Sequence, residues 1–438
     1  MAPDSRDKHE KEFKNRLQAA SEHRENDEHE KARAELIQAL AYAEKHLGPE
    51  SDEFGEASRR LAGLHGFLSE PDAEREVLER LLSLREGHGD PMGIVDALQD
   101  VAFCHDRNDR ADEAEANFRR AIDLCDEQNQ AHNRSLRLTL LYLGEFLSAK
   151  NRQAEAIPTL ERGLHVCAIC DSYPSIAGSR LACALGVALL KSDRDEEAAV
   201  LLDQGLAVLS HRSQPSTRNL VNTLHVYANR LQRTNQLDKA DAVYTEALYH
   251  LPHTSEGPIR LGHLLQAAAS NDRKRANLPR AERRLRRAIR QLLTKLKPYS
   301  VDVLECQQDL TDLLIRQQRY AEAETELTKM VQAAEDPDCA NDTFLVRYLN
   351  NLGFVQVHLE EFPKAEANLR RGLALTDIAD EDRAFLTKNL ALMYQKMGYA
   401  AEAIREYEAA LQLFETESKP GHPMVEFIRQ ALAELRSA

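Results

Sequence analysis

Small apolar residues recur along this chain at a nearly constant interval, within stretches whose apolar and polar positions alternate with helical spacing. Most copies place two Ala or Gly residues seven positions apart, as at Ala240 and Ala247; Glu74/Leu81 and Ala323/Met330 are degraded copies. Successive copies lie 38 to 42 residues apart, and their first members are Ala32, Glu74, Ala114, Ala156, Ala198, Ala240, Ala281, Ala323, Ala365 and Ala403. An interval this regular indicates an internal structural repeat.

A second series of small residues lies twelve positions before the first. Its members are Ala20, Ala62, Ala102, Gly144, Gly186, Ala228, Ala269, Thr311, Gly353 and Ala391. Two small-residue positions joined by a short turn predict two helices that cross closely. One such pair cannot bury its apolar face alone, so the pairs must stack. The pattern therefore predicts an all-α solenoid of about ten helix-turn-helix repeats.

The best copy of the repeat, LNNLGFVQVHLEEFPKAEANLRRGLAL at 349–375, resembles the tetratricopeptide repeat. The period of about 42 residues is longer than usual for that repeat and is similar to the repeats of kinesin light chains, as are the linkers HLGPES, KPYSVDV and KPGHPMV. The resemblance implies that the α-solenoid is right-handed, and we expect the array to cover residues 14–415. Residues 1–13 are expected to form a charged, frayed tip, and residues 416–438 a C-terminal capping helix.

Composition places this chain among acidic helical proteins. It has 438 residues, no Trp and a net charge of −15, and its first hundred residues hold 24 Asp and Glu against 14 Lys and Arg. This balance argues against a general nucleic-acid or membrane-surface binder. No apolar run is long enough to cross a bilayer, no secretory signal begins the chain, and the seven Cys form no disulfide framework. We expect a cytoplasmic protein.

Residues that could support chemistry are scattered. Cys167 and Cys170 form a single CxxC near His165, without the second pair that a tetrahedral zinc site requires. His23 and His29 lie among Glu residues in a polar segment that is typical of a solvated turn. There is no phosphate-binding glycine loop, HExxH or nucleophile elbow. The sequence predicts a protein that is not an enzyme, with no cofactor and no metal site.

The resemblance implies that the first helix of each pair lines a concave groove, and it indicates which positions face a ligand. In the later repeats many of these positions are basic or amide residues, which suit an extended acidic peptide or a C-terminal carboxylate. The candidate peptide-binding residues are Lys191, Asn229, Arg233, Lys274, Arg316, Arg347, Asn350, Asn351, His358, Lys388, Asn389 and Lys396. Two observations weaken this interpretation. Asp309 and Asp312 interrupt the basic series, and cations near helix carboxyl ends are favoured by the helix dipole without any ligand.

The segment from Asp272 to Tyr299 carries eleven Lys and Arg against two acids. Much of this charge is expected on the convex side as a basic patch of Arg283, Arg284, Arg286, Arg287 and Arg290. A solvated helix face explains it without a partner. An acidic partner, including the acidic front end of a second copy, is the functional alternative. The segment argues against nucleic acid as a partner, because no aromatic residue interleaves with the arginines to stack bases.

These observations favour a protein–protein interaction scaffold or adaptor that binds a partner's peptide segment in the concave groove. A regulatory sensor that changes curvature on binding a peptide or metabolite is one alternative. A self-assembling structural component is the other. The fold alone does not choose between them, because repeat arrays of this kind host many unrelated functions.

Overall fold

The computed structural model describes residues 3–128, 133–170, 175–211, 217–253, 257–336, 338, 342–376, 378–417 and 423–437. Every regular element within these ranges is helical, and none is a strand. The α-helices are α1 (Pro3–Glu25), α2 (His29–His46), α3 (Asp52–Phe67), α4 (Pro71–His88), α5 (Pro91–Arg107), α6 (Ala111–Glu127), α7 (Asn133–Ala149), α8 (Gln153–Cys170), α9 (Ile176–Lys191), α10 (Asp195–Leu209), α11 (Arg218–Arg233), α12 (Leu237–His250), α13 (Pro258–Lys274), α14 (Leu278–Leu292), α15 (Val301–Arg316), α16 (Tyr320–Ala334), α17 (Asp342–His358), α18 (Phe362–Leu373), α19 (Asp380–Lys396), α20 (Ala400–Glu417) and α21 (Pro423–Ser437). A short 3-10 turn, Leu251–His253, follows α12.

The helices form successive antiparallel pairs, and within each of two units each pair packs against the next along the chain. Two compact units result. Unit 1 covers Met1–Pro215 and contains α1 to α10, and unit 2 covers Ser216–Ala438 and contains α11 to α21. The predicted all-α solenoid of stacked helix pairs is confirmed.

The small residues that define the repeat lie where paired helices approach most closely. Ala240, Ala281 and Ala365 are fully buried, as are their counterparts in the other intact copies. A Cβ added to Gly144 would lie 2.4 Å from the Leu160 side chain, and one added to Gly353 would lie 2.5 Å from Leu369. The small residues of the repeat therefore mark the points where the two helices of a pair approach most closely, because only small side chains fit between the two helix axes.

A left-handed residue joins the two helices of each pair, and it was not anticipated from the sequence. These residues are Asp27, Ser69, Asp109, Asn151, Asp193, Asn235, Ala276, Gln318, Glu360 and Gly398, each five positions before the first small residue of its repeat. The N–H of the next residue donates to a carbonyl five positions back, for example from Asn277 to Asp272 at 2.8 Å. This geometry ends the first helix as a Schellman-type cap and turns the chain into the second.

Ion pairs connect the second helices of neighbouring repeats. Arg162 of α8 contacts Asp126 of α6 at 2.6 Å, and Arg319 before α16 contacts Glu282 of α14 at 2.6 Å. Comparable contacts recur in both units at sequence separations of about one repeat. Each exposed pair contributes little stability alone. Together these ion pairs involve many of the charged side chains on the surface of the even-numbered helices.

The two ends of the array are helical in the described residues. The first helix begins at Pro3, so it includes most of the segment expected to be a frayed tip; its Phe13 is buried. Nearby, His9 Nδ1 lies 2.7 Å from the Tyr42 hydroxyl. At the other end α21 packs Ile428 and Leu432 against the apolar face that includes Phe414 of α20.

Candidate functional site

A cavity of about 820 Å³ opens on the side of unit 2 formed by its first helices. We call it the α15–α19 cavity because its lining comes from α15, α17 and α19, with Gln266 added from α13. Its volume lies within the range of small-ligand and peptide pockets. The apolar part of the wall is mainly aromatic: Phe344, Tyr348, Phe354 and Phe385 lie there with Leu304 and Ile315. The stacking of three successive pairs thus creates a site that no single repeat contains.

Lys388 of α19 is the most unusual cation of this cavity. Its ammonium lies 5.5 Å from the centre of the Phe354 ring and 6.0 Å from that of Phe385. Within the described part of the chain it forms no ion pair. Burial lowers the pKa of Lys388 to about 8, because the charged form loses hydration that no carboxylate replaces. The aromatic faces offset part of that loss through cation–π attraction.

Three asparagines lie beside Lys388. Asn389 Nδ2 donates to Asn350 Oδ1 at 2.8 Å, and Asn350 Nδ2 donates to Asn351 Oδ1 at 3.4 Å. Asn389 is only 1% exposed, yet its Oδ1 accepts no hydrogen bond from any described group. A buried polar atom without a partner costs stability. Since Asn389 belongs to the cavity lining, this oxygen is the candidate acceptor for an N–H group of a ligand.

Carboxylates of α15 form another part of the wall. Glu305, Asp309 and Asp312 share one face of α15 at helical spacing. Asp309 is paired with Arg273 at 3.0 Å and accepts from Gln266 at 2.9 Å. Asp312 accepts from Gln308 at 2.6 Å, and burial raises its pKa above the ordinary value.

The amino end of α19 adds two more acids, Glu381 and Asp382, to the lining. Asp382 lies 3.9 Å from Arg347, whose side chain is 61% exposed. The cavity thus holds five carboxylates against two cations, Arg347 and Lys388. The sequence predicted a groove lined essentially by basic and amide residues. The lining of this cavity instead carries both positive and negative charges, with more acidic than basic residues.

The structure brings together five of the twelve predicted peptide-binding residues. Arg347, Asn350, Asn351, Lys388 and Asn389 all line the α15–α19 cavity. The other seven are not in its lining: Lys191, Asn229, Arg233, Lys274, Arg316, His358 and Lys396.

Two of those seven contact the carboxyl end of the preceding first helix. Lys191 Nζ donates to the Ser148 carbonyl at 2.6 Å, and Lys274 Nζ lies 3.5 Å from the Gln232 carbonyl. These contacts are those expected from the helix dipole and free carbonyl groups, without any ligand.

Two more have contacts within their own unit. Asn229 accepts a hydrogen bond from the Tyr244 hydroxyl at 2.6 Å, and His358 stacks on Tyr320 with ring centres 4.6 Å apart. Burial lowers the pKa of His358, so the ring favours its neutral form. The remaining three, Arg233, Arg316 and Lys396, are exposed at helix carboxyl ends.

The predicted basic patch on α14 is smaller than expected, because two of its five arginines are committed elsewhere. Arg284 is buried and donates to Asp272 at 2.7 Å, since its position on the helix faces α13. Arg286 is half-buried and contacts Glu282 at 2.9 Å. Arg283, Arg287 and Arg290 remain exposed and form no ion pair among the described residues. Placing Arg284 in a surface patch was wrong, and self-association through this face stays a prediction.

The cysteines and histidines form no recognisable reactive centre in the described ranges. Cys167 is buried, while the Cys170 side chain lies outside the described residues. Burial raises the pKa of Cys125 to about 11 and that of Cys183 to about 12, which disfavours the reactive thiolate. No group of three or more His, Cys, Asp or Glu suited to a metal ion occurs among the residues that the structure describes.

Sequence reasoning missed the aromatic members of the cavity and the acids Glu305, Glu381 and Asp382, whereas it noted Asp309 and Asp312 as interruptions of the basic series. Phe354 immediately follows Gly353 of the second small-residue series, and Phe385 precedes Ala391 of that series by six positions. The first-helix register was therefore visible in the sequence. Which of these rings share one cavity was not, because that depends on how three successive pairs stack.

No helix among the described residues has the length and apolar character required to cross a membrane.

Comparison with known proteins supports the repeat assignment. A tetratricopeptide repeat family model matches residues 388–423. The chain is similar to "Tetratricopeptide repeat protein 19 homolog, mitochondrial" of Drosophila melanogaster, with 25% identity over 205 residues, covering 44% of this chain and 55% of that protein. The chain thus spans about half the length of this curated relative. The predicted resemblance to tetratricopeptide repeats is confirmed.

Two solved structures are similar to this chain at low sequence identity. A Pyrococcus horikoshii Signal Transduction ATPase with Numerous Domains (STAND) protein with a tetratricopeptide repeat sensor has 13% identity and a TM-score of 0.53, covering 78% of this chain and 49% of that one. TPR-like repeats from Podosopora anserina that are named for kinesin light chain have 18% identity and a TM-score of 0.38, covering 49% of this chain and all of theirs.

Proposed function

We propose that this protein is an interaction scaffold whose unit 2 binds an extended segment of a partner protein in the α15–α19 cavity. Tetratricopeptide repeats support a role in protein interaction in general. The peptide and its position are inferred from the cavity itself. The observation that carries the proposal is the adjacent pair Lys388 and Asn389: a half-buried ammonium without an acidic partner among the described residues, and a buried amide oxygen without a donor.

These two groups match the two kinds of polar atom that an extended peptide offers. A carboxylate, from a side chain or a C-terminus, would restore the charge balance of Lys388. A backbone N–H would satisfy Asn389 Oδ1, and the neighbouring Asn350 and Asn351 amides can contact the rest of the main chain. The aromatic wall would contact apolar side chains of the peptide. An isolated inorganic anion would use Lys388 but would leave Asn389 without a donor.

Selection from a library of random linear peptides tests this proposal. Peptides enriched on the full-length protein should bind it measurably and should lose binding to the variant Lys388→Ala/Asn389→Ala. The matched control is Arg316→Ala, which removes an exposed cation outside the cavity lining, and it should leave binding unchanged. Selected peptides that bind the double variant as tightly as the parent protein would place the interaction elsewhere and refute the proposal.

The location of this scaffold in the cell stays a prediction. The sequence favours the cytoplasm, whereas the Drosophila melanogaster relative is named as mitochondrial. Microscopy of the tagged full-length protein would distinguish the two compartments. Catalysis is not part of the proposal.

A further inference from the structure

The acidic wall of α15 is not explained by a ligand that carries only negative charge. Three carboxylates, Glu305, Asp309 and Asp312, line the same cavity as Lys388. A purely acidic peptide would experience repulsion along this wall, and repulsive contacts commonly set the specificity of a binding site. The cavity therefore selects for something besides a carboxylate.

Only part of the charge on this wall is balanced within the protein. Arg273 pairs with Asp309 at 3.0 Å. Arg273 and Arg316 also lower the pKa of Asp312, but neither contacts it closely enough to form an ion pair, and burial outweighs them. Glu305 forms no ion pair within the described residues. Two carboxylates of α15 are thus available to an incoming cation.

A cationic side chain fits this wall better than a metal ion does. A hard divalent cation requires several oxygen ligands converging on one point. The described residues contain no group of His, Cys, Asp or Glu with that convergence. Carboxylates spaced along one helix face instead suit an extended side chain with several N–H donors, such as that of Arg or Lys.

The two walls belong to one cavity, and an orphan acceptor lies in the same lining. Asn389 Oδ1 is a buried atom that needs an N–H donor. A ligand that carried only an amine or only a carboxylate would balance the charge of one wall and leave the charge of the other wall uncompensated. A peptide spans both walls and supplies backbone N–H groups between them.

We infer that the occupant of the α15–α19 cavity is a peptide segment of mixed charge, with a Lys or Arg side chain against Glu305 and Asp312 and a carboxylate against Lys388. This inference rests on the proposed function and refines it by naming the ligand class. It also changes the expectation of a simply acidic partner.

A double-mutant cycle tests the inference. The probe is a peptide selected on the full-length protein, together with two analogues of the same length in which its cationic residue becomes Gln or its acidic residue becomes the corresponding amide. The protein variant is Glu305→Gln/Asp312→Asn, which keeps side-chain shape and removes charge. The control variant Glu402→Gln removes an exposed carboxylate of α20 outside the cavity.

Removal of the α15 charges should weaken the binding of the parent peptide about tenfold, because charge pairs in desolvated interfaces show coupling energies of this order or larger. The binding of the Gln analogue should be nearly unaffected. Glu402→Gln should bind like the unaltered protein. Equal binding of the parent peptide to the protein and to Glu305→Gln/Asp312→Asn, or tighter binding to that variant, would overturn the inference while leaving the proposed function intact. Loss of all dependence on Lys388 and Asn389 would instead refute the proposed function.

Discussion

Arg284 Nη1 lies 2.7 Å from Asp272 Oδ2 inside the α13–α14 pair, with Asp272 fully buried and Arg284 8% exposed. The same guanidinium donates to the Ala268 carbonyl at 3.1 Å. Asp241 of α12 also lies 3.5 Å from Arg284, so three helices of unit 2 meet at this charge cluster. The contact explains why an arginine in a highly basic segment points inward.

Loss of one member of this pair should destabilise unit 2 strongly. Arg284→Ala leaves the Asp272 carboxylate buried with less compensation, and we expect a loss of about 3–5 kcal/mol in the free energy of unfolding. Urea denaturation followed by circular dichroism measures it. The control Arg283→Ala changes the adjacent, exposed arginine and should alter stability by less than about 0.5 kcal/mol. Equal effects of the two substitutions would show that the Arg284 contact contributes nothing special.

The turn at Ala276 stores conformational strain. Its φ of 58° is left-handed, where a Cβ is disfavoured and glycine is not. Ala276→Gly should therefore raise the free energy of unfolding by about 1 kcal/mol, seen as a higher urea midpoint. The reciprocal change Gly398→Ala, at a φ of 80° in the last pair, should lower it by a similar amount. A lower midpoint for Ala276→Gly would contradict this account.

Two glycines with different surroundings should respond in opposite directions to alanine. At Gly205 an added Cβ would lie 2.7 Å from Cys183 Sγ and 2.9 Å from the Ser179 backbone oxygen, so α9 and α10 would have to separate. Gly205→Ala should cost about 1–3 kcal/mol. Gly63 is exposed within α3 and has no atom within 4 Å of an added Cβ. Gly63→Ala should stabilise by about 0.5–1 kcal/mol through helix propensity; thermal unfolding of both variants compares them.

Peptide binding at the α15–α19 cavity should weaken at alkaline pH. The pKa of Lys388 is about 8 in the free protein, so its ammonium is mostly present at pH 7 and mostly lost at pH 9. A ligand carboxylate favours the charged form, and affinity should fall about tenfold over this interval. Isothermal titration calorimetry at both pH values provides the measurement.

Lys388→Arg supplies the control for that pH dependence. Arginine stays charged throughout this range, so its residual affinity should change little between pH 7 and pH 9. The same alkaline loss in Lys388→Arg would assign the titration to another group. His358, which also lies near Lys388, titrates below this interval, because burial and the charges of Lys396 and Lys388 lower its pKa.

Part of the candidate site could be predicted from the sequence. The first-helix register gave Asn351 and Asn389, with Asn350 and Lys388 as their neighbours, because repeat period and helical spacing determine which positions share a face. All four residues line the α15–α19 cavity, and their role in binding stays a prediction. The same register included Lys191 and Lys274, which contact carbonyl oxygens of the preceding helix. Spacing alone cannot separate a cation that contacts a helix end from one that faces a cavity, since both occupy similar positions in the repeat.

The amino-acid sequence by itself determined that the chain forms stacked helix pairs. Helices that cross closely leave room only for small side chains, so the crossing points appear in the sequence as a regular series of Ala and Gly. The tertiary structure decided which charges remain available, because that depends on contacts between residues far apart in the chain. It buried Arg284 against Asp272, and it placed Lys388 in one cavity with the α15 carboxylates. Neither relationship follows from local periodicity, since each requires the packing of separate helices.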